Sequence, residues 1–527
     1  MSDVDLELSH TNSDTLDESG ETDSLSGYRR GQFLQNLSTL NISVLMRFIR
    51  DHKRALIAFI PVTILAFLYF LRFAILSVNV LNHFGAPAFD MSVPDQGMWL
   101  LSRFHDPFVT IMGRNLFGDH SEFVLLILVP FYWIYPHGAV LLIAQALVIA
   151  AAAIPIYLLA RHLLHSNIMA TLLAAVYLLN PALQWGNMEQ FHVESFEILF
   201  VSIAIYAAVI WRPRLLMVAI VLLLLSNQDA AMYVLPIGIW VAFRRERREG
   251  IKIVALSVIA AVLINFLIIP LLLGSFNFGA TKYSGRLPFG GVIGSMKEIV
   301  RYPGQVWAYV TSQGRPWYVW QMFASAGLIF VVAPEIALIA IIALGINVWT
   351  SFGYQHEIMY HYSLPIVPVL VCGTIWALSR IPKRRAVWLT GLIVLGALWS
   401  CTIWGLAPFS DQQYPSSGLT SYQVAEVQDL INDIPSNAVV SAFYDYTTAL
   451  DDRTQIYMWP NPFSTSLYGL PNQPGGVTLP VASQVQYILL PQALGTDSPQ
   501  VLTQIAPQFH VLAQNETAVL YERNTTG

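Results

Sequence analysis

Charge is scarce in this 527-residue chain. Only 12% of its residues are Asp, Glu, Lys or Arg, against 55% hydrophobic, and the mean hydropathy is +0.54. A soluble domain carries about a quarter charged residues, so this composition excludes an ordinary water-soluble globule. Cysteine is nearly absent. Cys372 and Cys401 both fall in apolar runs and read as small apolar side chains. That excludes a disulfide framework, a CxxC pair and a cysteine zinc site. Basic residues are few and scattered, which argues against nucleic acid as a partner. No internal repeat is visible, and so the paired halves typical of transporters are missing.

What the chain has is long apolar runs, recurring from Ala55 to Leu406. Each is long enough for a membrane helix of about 20 residues. Ahead of them, residues 1–28 hold eight acidic side chains and no Lys or Arg. That stretch is expected to be disordered, and it does not begin basic and turn apolar as a signal peptide does.

Basic residues set the orientation. They cluster at Arg47 to Arg54, at Arg161, at Arg212 and Arg214, at Arg244 to Arg248 and at Lys383 to Arg385. Placing all of them in the cytoplasm obeys the positive-inside rule. The first helix, Ala55–Val80, then leads outward and leaves 81–138 outside. Phe123–Tyr135 is apolar enough to span, but counting it would expose the later basic clusters. Its Phe131, Tyr132, Trp133 and Tyr135, between Pro130 and Pro136, predict a helix lying in the interface. The run 214–243 would be about 45 Å long as one helix, too long for one span. With both ends basic it must be a hairpin, and Ser226, Asn227, Gln228 and Asp229 form its apex. Each arm is only about 20 Å long, so the apex is recessed. A carboxylate there costs roughly 2.5–3.5 kcal/mol unless solvated or paired, which makes a functional role the default reading.

Further spans are expected at Ala139–Leu159, Ile168–Gln184, Phe196–Trp211, Ile251–Leu273, Tyr318–Val332, Ile336–Trp349, Leu364–Leu378 and Val387–Leu406. The predicted fold is an α-helical polytopic membrane protein of about eleven transmembrane helices, with a small C-terminal extracytoplasmic α/β domain. Residues 1–45 would be the cytoplasmic tail. Residues 46–406 would be the transmembrane domain, with outer loops 81–138 and 274–317, and 407–527 the outer domain. In the last, a helix is predicted at Tyr422–Asn432. Strands are predicted at Ala438–Phe443, Val485–Leu490, Phe509–Ala513 and Ala518–Tyr521, the last two joined by a turn at Gln514–Thr517.

In this topology the polar clusters share the outer side. Asp90 and Asp95 follow the first helix. Asn115 to His120 includes Asp119. Glu189 to Glu194 includes His192. Asp229 marks the hairpin apex, and a weaker set contains His356 and His361. Asp106 and Glu122 read as hydrated loop carboxylates. Lys282, Arg286, Arg301 and Arg315 offer cations to an anionic ligand, although each taken singly reads as surface charge. Asp119-His120 and His192-Val193-Glu194 are mixed N/O sets, which leaves a divalent cation open as a cofactor.

The runs "FDMSVPDQGMW", "NLFGDHSEF", "AVYLLNPALQWGNMEQFHVES", "SNQDAAMYVLPIGIW" and "HEIMYHYSLPIVPVL" resemble a prokaryotic family of predicted membrane proteins of unassigned activity, placed in the GT-C superfamily of membrane glycosyltransferases. The resemblance covers about 80–520 and extends to "NAVVSAFYDYTTALDDRTQIYMWP" in the tail. It implies a multi-pass protein of a prokaryotic plasma membrane, while the basic clusters place the N-terminus in the cytoplasm and the tail domain outside. It implies a polyprenyl-phosphate-linked sugar as donor, a cell-envelope acceptor, and a catalytic acid in the first outer loop, at the position of Asp90. The usual acidic pair is here Asp90-Met91, with Asp95 further on. The expected function is inverting sugar transfer with Asp90 as base and Asp95 beside it. Asp119, His120, His192, Glu194, Asp229 and His361 would line the pocket, and Lys282 and Arg286 would hold the lipid phosphate. The rival reading is a non-enzymatic transporter, flippase or envelope scaffold.

Overall fold

The computed structural model describes residues 42–276, 285–415, 418–471, 473–494 and 498–524, with side chains from Ile57 onward. Among these, five helices are long and apolar enough to cross a membrane: Ile57–Asn82, Ala139–Leu164, Arg247–Leu273, His361–Leu378 and Lys383–Trp404. Three of them turn most of their apolar surface outward, with only 22–33% of their most apolar window buried, whereas His361–Leu378 is 89% buried. A helix apolar all round must be buried or face lipid. Exposed Leu392, Trp388 and Trp399 on Lys383–Trp404 take the second option.

The remaining apolar runs form shorter or broken helices, for local reasons. Asn167–Leu178 and Pro181–Met188 meet at a 46° bend. Pro181 has no N–H to continue the first helix, and Asn180 caps the second by accepting from the Ala182 amide (3.0 Å). The Tyr318–Val332 run stops at Ala326, where Gly327 (φ 97°) takes a left-handed turn. A Cβ there would meet Ile393 at 2.8 Å. The expected hairpin is found: Pro213–Leu224 and Ala231–Arg244 flank a short 3₁₀ turn, Gln228–Ala230. Arg245 donates from Nε to the Ala208 carbonyl (3.2 Å) and from Nη2 to that of Val209, which brings the two basic ends of 212–245 together.

The segment after the first helix is a chain of short elements. A π turn, Ala88–Ser92, leads into the helix Val93–Ser102. Next come the two-residue strands β1 (Phe108–Val109) and β2 (Arg114–Asn115), and the single turn Leu116–Asp119. The interface candidate follows as a 3₁₀ turn, Phe123–Leu128, and a helix, Val129–Ile134. It is one-sided: Val124, Leu125, Leu128 and Tyr132 are buried, while Ile127, Phe131, Trp133 and Ile134 are exposed.

The tail forms a five-stranded mixed sheet of order β4-β3-β5-β7-β6. Its strands are β3 (Val440–Ala442), β4 (Ile456–Met458), β5 (Tyr487–Pro491), β6 (Phe509–Gln514) and β7 (Ala518–Arg523). β3 pairs in parallel with β4 and β5, while β7 pairs antiparallel with β5 and β6. The predicted helix is Ser421–Asn432, opened by a Thr420/Gln423 capping box. Strand β4 had no prediction.

This sheet does not have a core to itself. Phe84, Ala88, Val109, Ile111, Met112 and Leu116 share one buried cluster with Val427, Leu430, Val440, Ile456, Leu489 and Leu520. Polar ties reinforce the joint. Thr110 Oγ1 donates to the Ile456 carbonyl (2.7 Å) and accepts from its amide (3.0 Å), while Gln96 accepts from the Thr110 amide (3.0 Å) and donates to the Arg453 carbonyl (3.2 Å). Thr110→Val keeps the shape and leaves buried Ile456 backbone groups unpaired. It is expected to cost about 1–3 kcal/mol. A thermal melt in nanodiscs indistinguishable from wild type would show that the hydroxyl does not tie loop to sheet.

Candidate functional site

A cavity of about 470 Å³ opens where six stretches of chain converge. Asp90, Asp119, His120, His192, Glu194 and Asp229 all line it, and so do His361 and Arg286. Most of the polar residues singled out in the sequence therefore meet in one place. Asp95 does not reach the cavity, and Lys282 lies outside the described residues. Glu122, Asn227 and Tyr362 also line it, as does Arg114, which sequence reasoning passed over. Arg114 stands directly before the Asn115–His120 cluster, and that adjacency was the available signal.

Each wall has a local cause. Asp90 occupies the middle of the π turn Ala88–Ser92, whose i→i+5 bond from the Val93 amide to the Ala88 carbonyl fits one extra residue. Such bulges re-aim side chains and are frequent at functional sites. Asn115 caps Leu116–Asp119 by accepting from the Phe117 amide (3.0 Å), and this one tight turn returns Asp119 to Arg114, Nε to Oδ1 3.2 Å. Arg114 also donates to the Gly469 carbonyl (2.8 Å), so the tail reaches the site through it. His120 lies 3.5 Å from the other Asp119 oxygen.

The hairpin apex is stitched to this wall. Gln228 accepts from the Ser121 amide (3.2 Å) and donates to His120 Nδ1 (2.8 Å). Asn227 donates to Glu194 Oε1 (3.0 Å). Glu194 begins the helix Glu194–Ile210, where the positive end of the helix dipole favours a carboxylate. Arg286 stacks on the Phe352 ring with its guanidinium carbon 4.3 Å from the centroid.

The other two cations of the long loop go elsewhere. Arg315 is fully buried and donates to the carbonyls of Val348 (2.8 Å) and Thr350 (2.9 Å), which makes it an internal brace. Arg301 is exposed at the end of Gly291–Arg301, away from the cavity. Glu122, read as a hydrated loop carboxylate, faces the cavity, whereas Asp106 accepts from Asn115 (3.1 Å) at the surface.

Among the described residues, side chains that could hold a metal fall into two groups: Glu189, His192 and His361, and Asp95, Asp451 and Asp452. Neither adjacent set read from sequence makes up one of these groups. Asp119 faces Arg114 and His120, while His192 turns toward Glu189 and Glu194 toward Asn227.

Asp95 is a buried joint between the loop and the tail. It is 2% exposed, accepts from the Tyr132 hydroxyl (2.8 Å), and lies against Asp451, itself 2% exposed. Burial, and then the charge of Asp452, push the Asp95 carboxyl up to about 8. Burial and then Asp95 push Asp451 well up, and burial raises Asp452 to about 6. Two carboxyls in one dry site hold a proton that neither would keep in water.

The architecture is that of a helical membrane protein of GT-C-like fold. ArnT from Cupriavidus metallidurans bound to undecaprenyl phosphate superposes with a TM-score of 0.52 at 12% identity, covering 87% of this chain and 98% of ArnT. Its apo form gives 0.50 at 13% identity, covering 86% and 97%. The mycobacterial arabinofuranosyltransferase AftD scores 0.45 at 13% identity, with 88% of this chain matched to 40% of AftD. No curated protein matches in sequence. The chain belongs to the DUF2079 family of predicted membrane proteins, whose profile matches residues 80–506.

The acidic joint sets a pH dependence. Its folded-state pKa lies above that of an unfolded aspartate, about 4. The protonated pair therefore stabilises fully below about pH 4 and loses that contribution as pH rises through about 8. The wild-type melting temperature is expected to fall between pH 5 and 8, and Asp95→Asn, which still accepts from Tyr132, to flatten that slope. A melting temperature that rises with pH over this window would mean that the carboxylates are ionised around a cation.

Proposed function

We propose that this protein is a membrane glycosyltransferase that moves a sugar from a polyprenyl-phosphate carrier to a cell-envelope acceptor on the extracytoplasmic side of a prokaryotic plasma membrane. The observation that carries the proposal is one cavity holding both a first-loop carboxylate, Asp90, and two guanidinium groups, Arg114 and Arg286. Sugar transfer from a lipid phosphate needs both. A base must take the proton of the acceptor hydroxyl as its oxygen attacks the anomeric carbon. Cations must receive the charge on the phosphate oxygen as the sugar–phosphate bond breaks.

Asp90 is the base in this reading, and attack opposite the departing phosphate inverts the anomeric centre. Arg286 and Arg114 suit the phosphate because planar guanidinium groups match its oxygens two at a time. Asp119, His120, Glu194 and Asp229 supply polar contacts to sugar hydroxyls, and His192 and His361 line the same pocket. Lys282, from the same loop as Arg286, joins the lipid-phosphate ligands. Asp95 keeps the helix after Asp90 in place. The undecaprenyl phosphate bound to the ArnT structure supports a donor of this chemical class.

The test uses the protein in lipid nanodiscs with radiolabelled polyprenyl-phosphate sugars, following release of the lipid phosphate. Asp90→Asn is expected to lower turnover by about 10²–10⁴-fold, the usual share of a general base, with the melting temperature unchanged. Full turnover in that variant would remove Asp90 from the reaction. No turnover by wild type across the panel would remove the transferase reading itself.

A further inference from the structure

Beside the cavity, a turn of chain is held in an unusual way. Gln145, fully buried on the helix Ala139–Ala151, accepts from the His192 amide (2.8 Å) and donates to the carbonyls of Asn187 (3.1 Å) and Gln190. One side chain therefore clamps residues 187–192 at three points. Within the clamp, Gln190 adopts a left-handed conformation (φ 63°), which residues with a side chain rarely take. Such strain persists only where surroundings over-determine it, and it clusters at functional sites.

The clamped turn aims two side chains at a third. Glu189 and His192 converge with His361, which comes from the far side of the chain. His361 Nδ1 lies 3.3 Å from Glu189 Oε2, and His192 Nε2 lies 3.8 Å from the same oxygen. The two imidazoles stack at 3.8 Å with an interplanar angle of 17°. The His361 amide also donates to Glu189 Oε2 and holds the carboxylate in place. The three ligand atoms all lie within 4.8 Å of one another.

We propose that Glu189, His192 and His361 bind a first-row divalent transition-metal ion, zinc above all. This goes beyond the transferase reading and does not depend on it. Three arguments carry it. The donor set, two imidazoles and one carboxylate, is a metal set of intermediate softness. The spacing fits: metal–ligand bonds of about 2.0–2.2 Å at tetrahedral angles put ligand atoms about 3.3–3.6 Å apart. The Glu189–His361 and Glu189–His192 pairs stand at 3.3 and 3.8 Å, and turning one imidazole out of the stack aims both ring nitrogens at a common point.

The third argument is independent of both. His192 Nε2 has no hydrogen-bond partner, although its side chain is only 10% exposed. A buried polar atom left unsatisfied in a site this polar marks a missing partner, and the nitrogen faces the other two ligands. His192 and His361 both line the cavity. The position left open by three protein ligands therefore faces it and suits a water or an oxygen of a bound molecule. Gln145 serves as the outer support that fixes two of the three ligands.

The test is metal content. The full chain, purified in nanodiscs, is stripped with EDTA, reloaded with zinc chloride or cobalt chloride, desalted, and measured by mass spectrometry of the metal. One ion per chain is expected, with visible cobalt d–d absorption and a melting temperature raised by zinc. His192→Asn and Glu189→Gln are expected to lose the cobalt spectrum and the melting shift, and to retain at least about tenfold less metal, the loss that follows even from removing outer partners of ligands. His120→Asn, a cavity histidine outside the set, is expected to retain the ion. Should His192→Asn fail to fold, Glu189→Gln carries the comparison, because a glutamine can still accept from the His361 amide. Wild type that retains no zinc, or equal retention by all three variants, overturns the site. The polyprenyl-phosphate assay plays no part in this readout, so its failure and that of the metal site are distinguishable.

Discussion

Residues 84–117 and the tail sheet bury their apolar side chains in one shared core, and the cavity is built around that joint. The loop's polar face carries Asp90, Arg114 and Asp119, and its apolar face is sheet core. Neither face can shift without the other. Loops on a protein surface are ordinarily the mobile, low-stability elements. Here the catalytic candidates sit on a loop whose Val109, Ile111 and Met112 are no more than 1% exposed. That gives a preorganised wall against which a ligand can be positioned without first ordering the chain.

The opposite wall is fixed by side-chain amides. Gln228 holds the hairpin apex to Ser121 and His120, Asn227 holds Glu194, and Gln145 holds the turn that presents Glu189 and His192. In a site crowded with carboxylates, an uncharged amide can donate to one neighbour and accept from another without adding to the repulsion. This explains why Asn and Gln, rather than more Lys and Arg, link the pieces.

Much of the site was legible because polar residues stand out against so apolar a chain. Asp90, Asp119, His192 and Asp229 were found by their place at the ends of apolar runs. The hairpin at 214–243 followed from length and charge alone. The helix Ser421–Asn432 and the antiparallel β6–β7 pair were legible from pattern. Other features were set by tertiary contacts that no local pattern carries. Asp90 and Asp95 look alike in sequence, yet the π turn at Ala88–Ser92 leaves one facing the cavity and sends the other into a dry joint. Arg315 and Arg286 both read as loop cations, but only Arg286 lines the cavity. Glu189 and His361 lie 172 positions apart, and nothing in either neighbourhood announces the other. Strand β4 is three residues long, too short for alternation to show.

The distance along the chain between the two halves of the shared core bears on how the protein is made. Thr110 and Ile456, bonded to each other, are separated by 346 positions. A chain emerging from a ribosome in order presents the 84–117 segment, with its apolar face bare, long before the strands that cover it exist. Contacts so distant in sequence form slowly, and apolar surface left uncovered in the meantime is prone to aggregate. The apolar face of the first loop is therefore covered only when the last strands have been made. The cavity, whose Arg114 is braced by the Gly469 carbonyl, is complete only once the tail has docked.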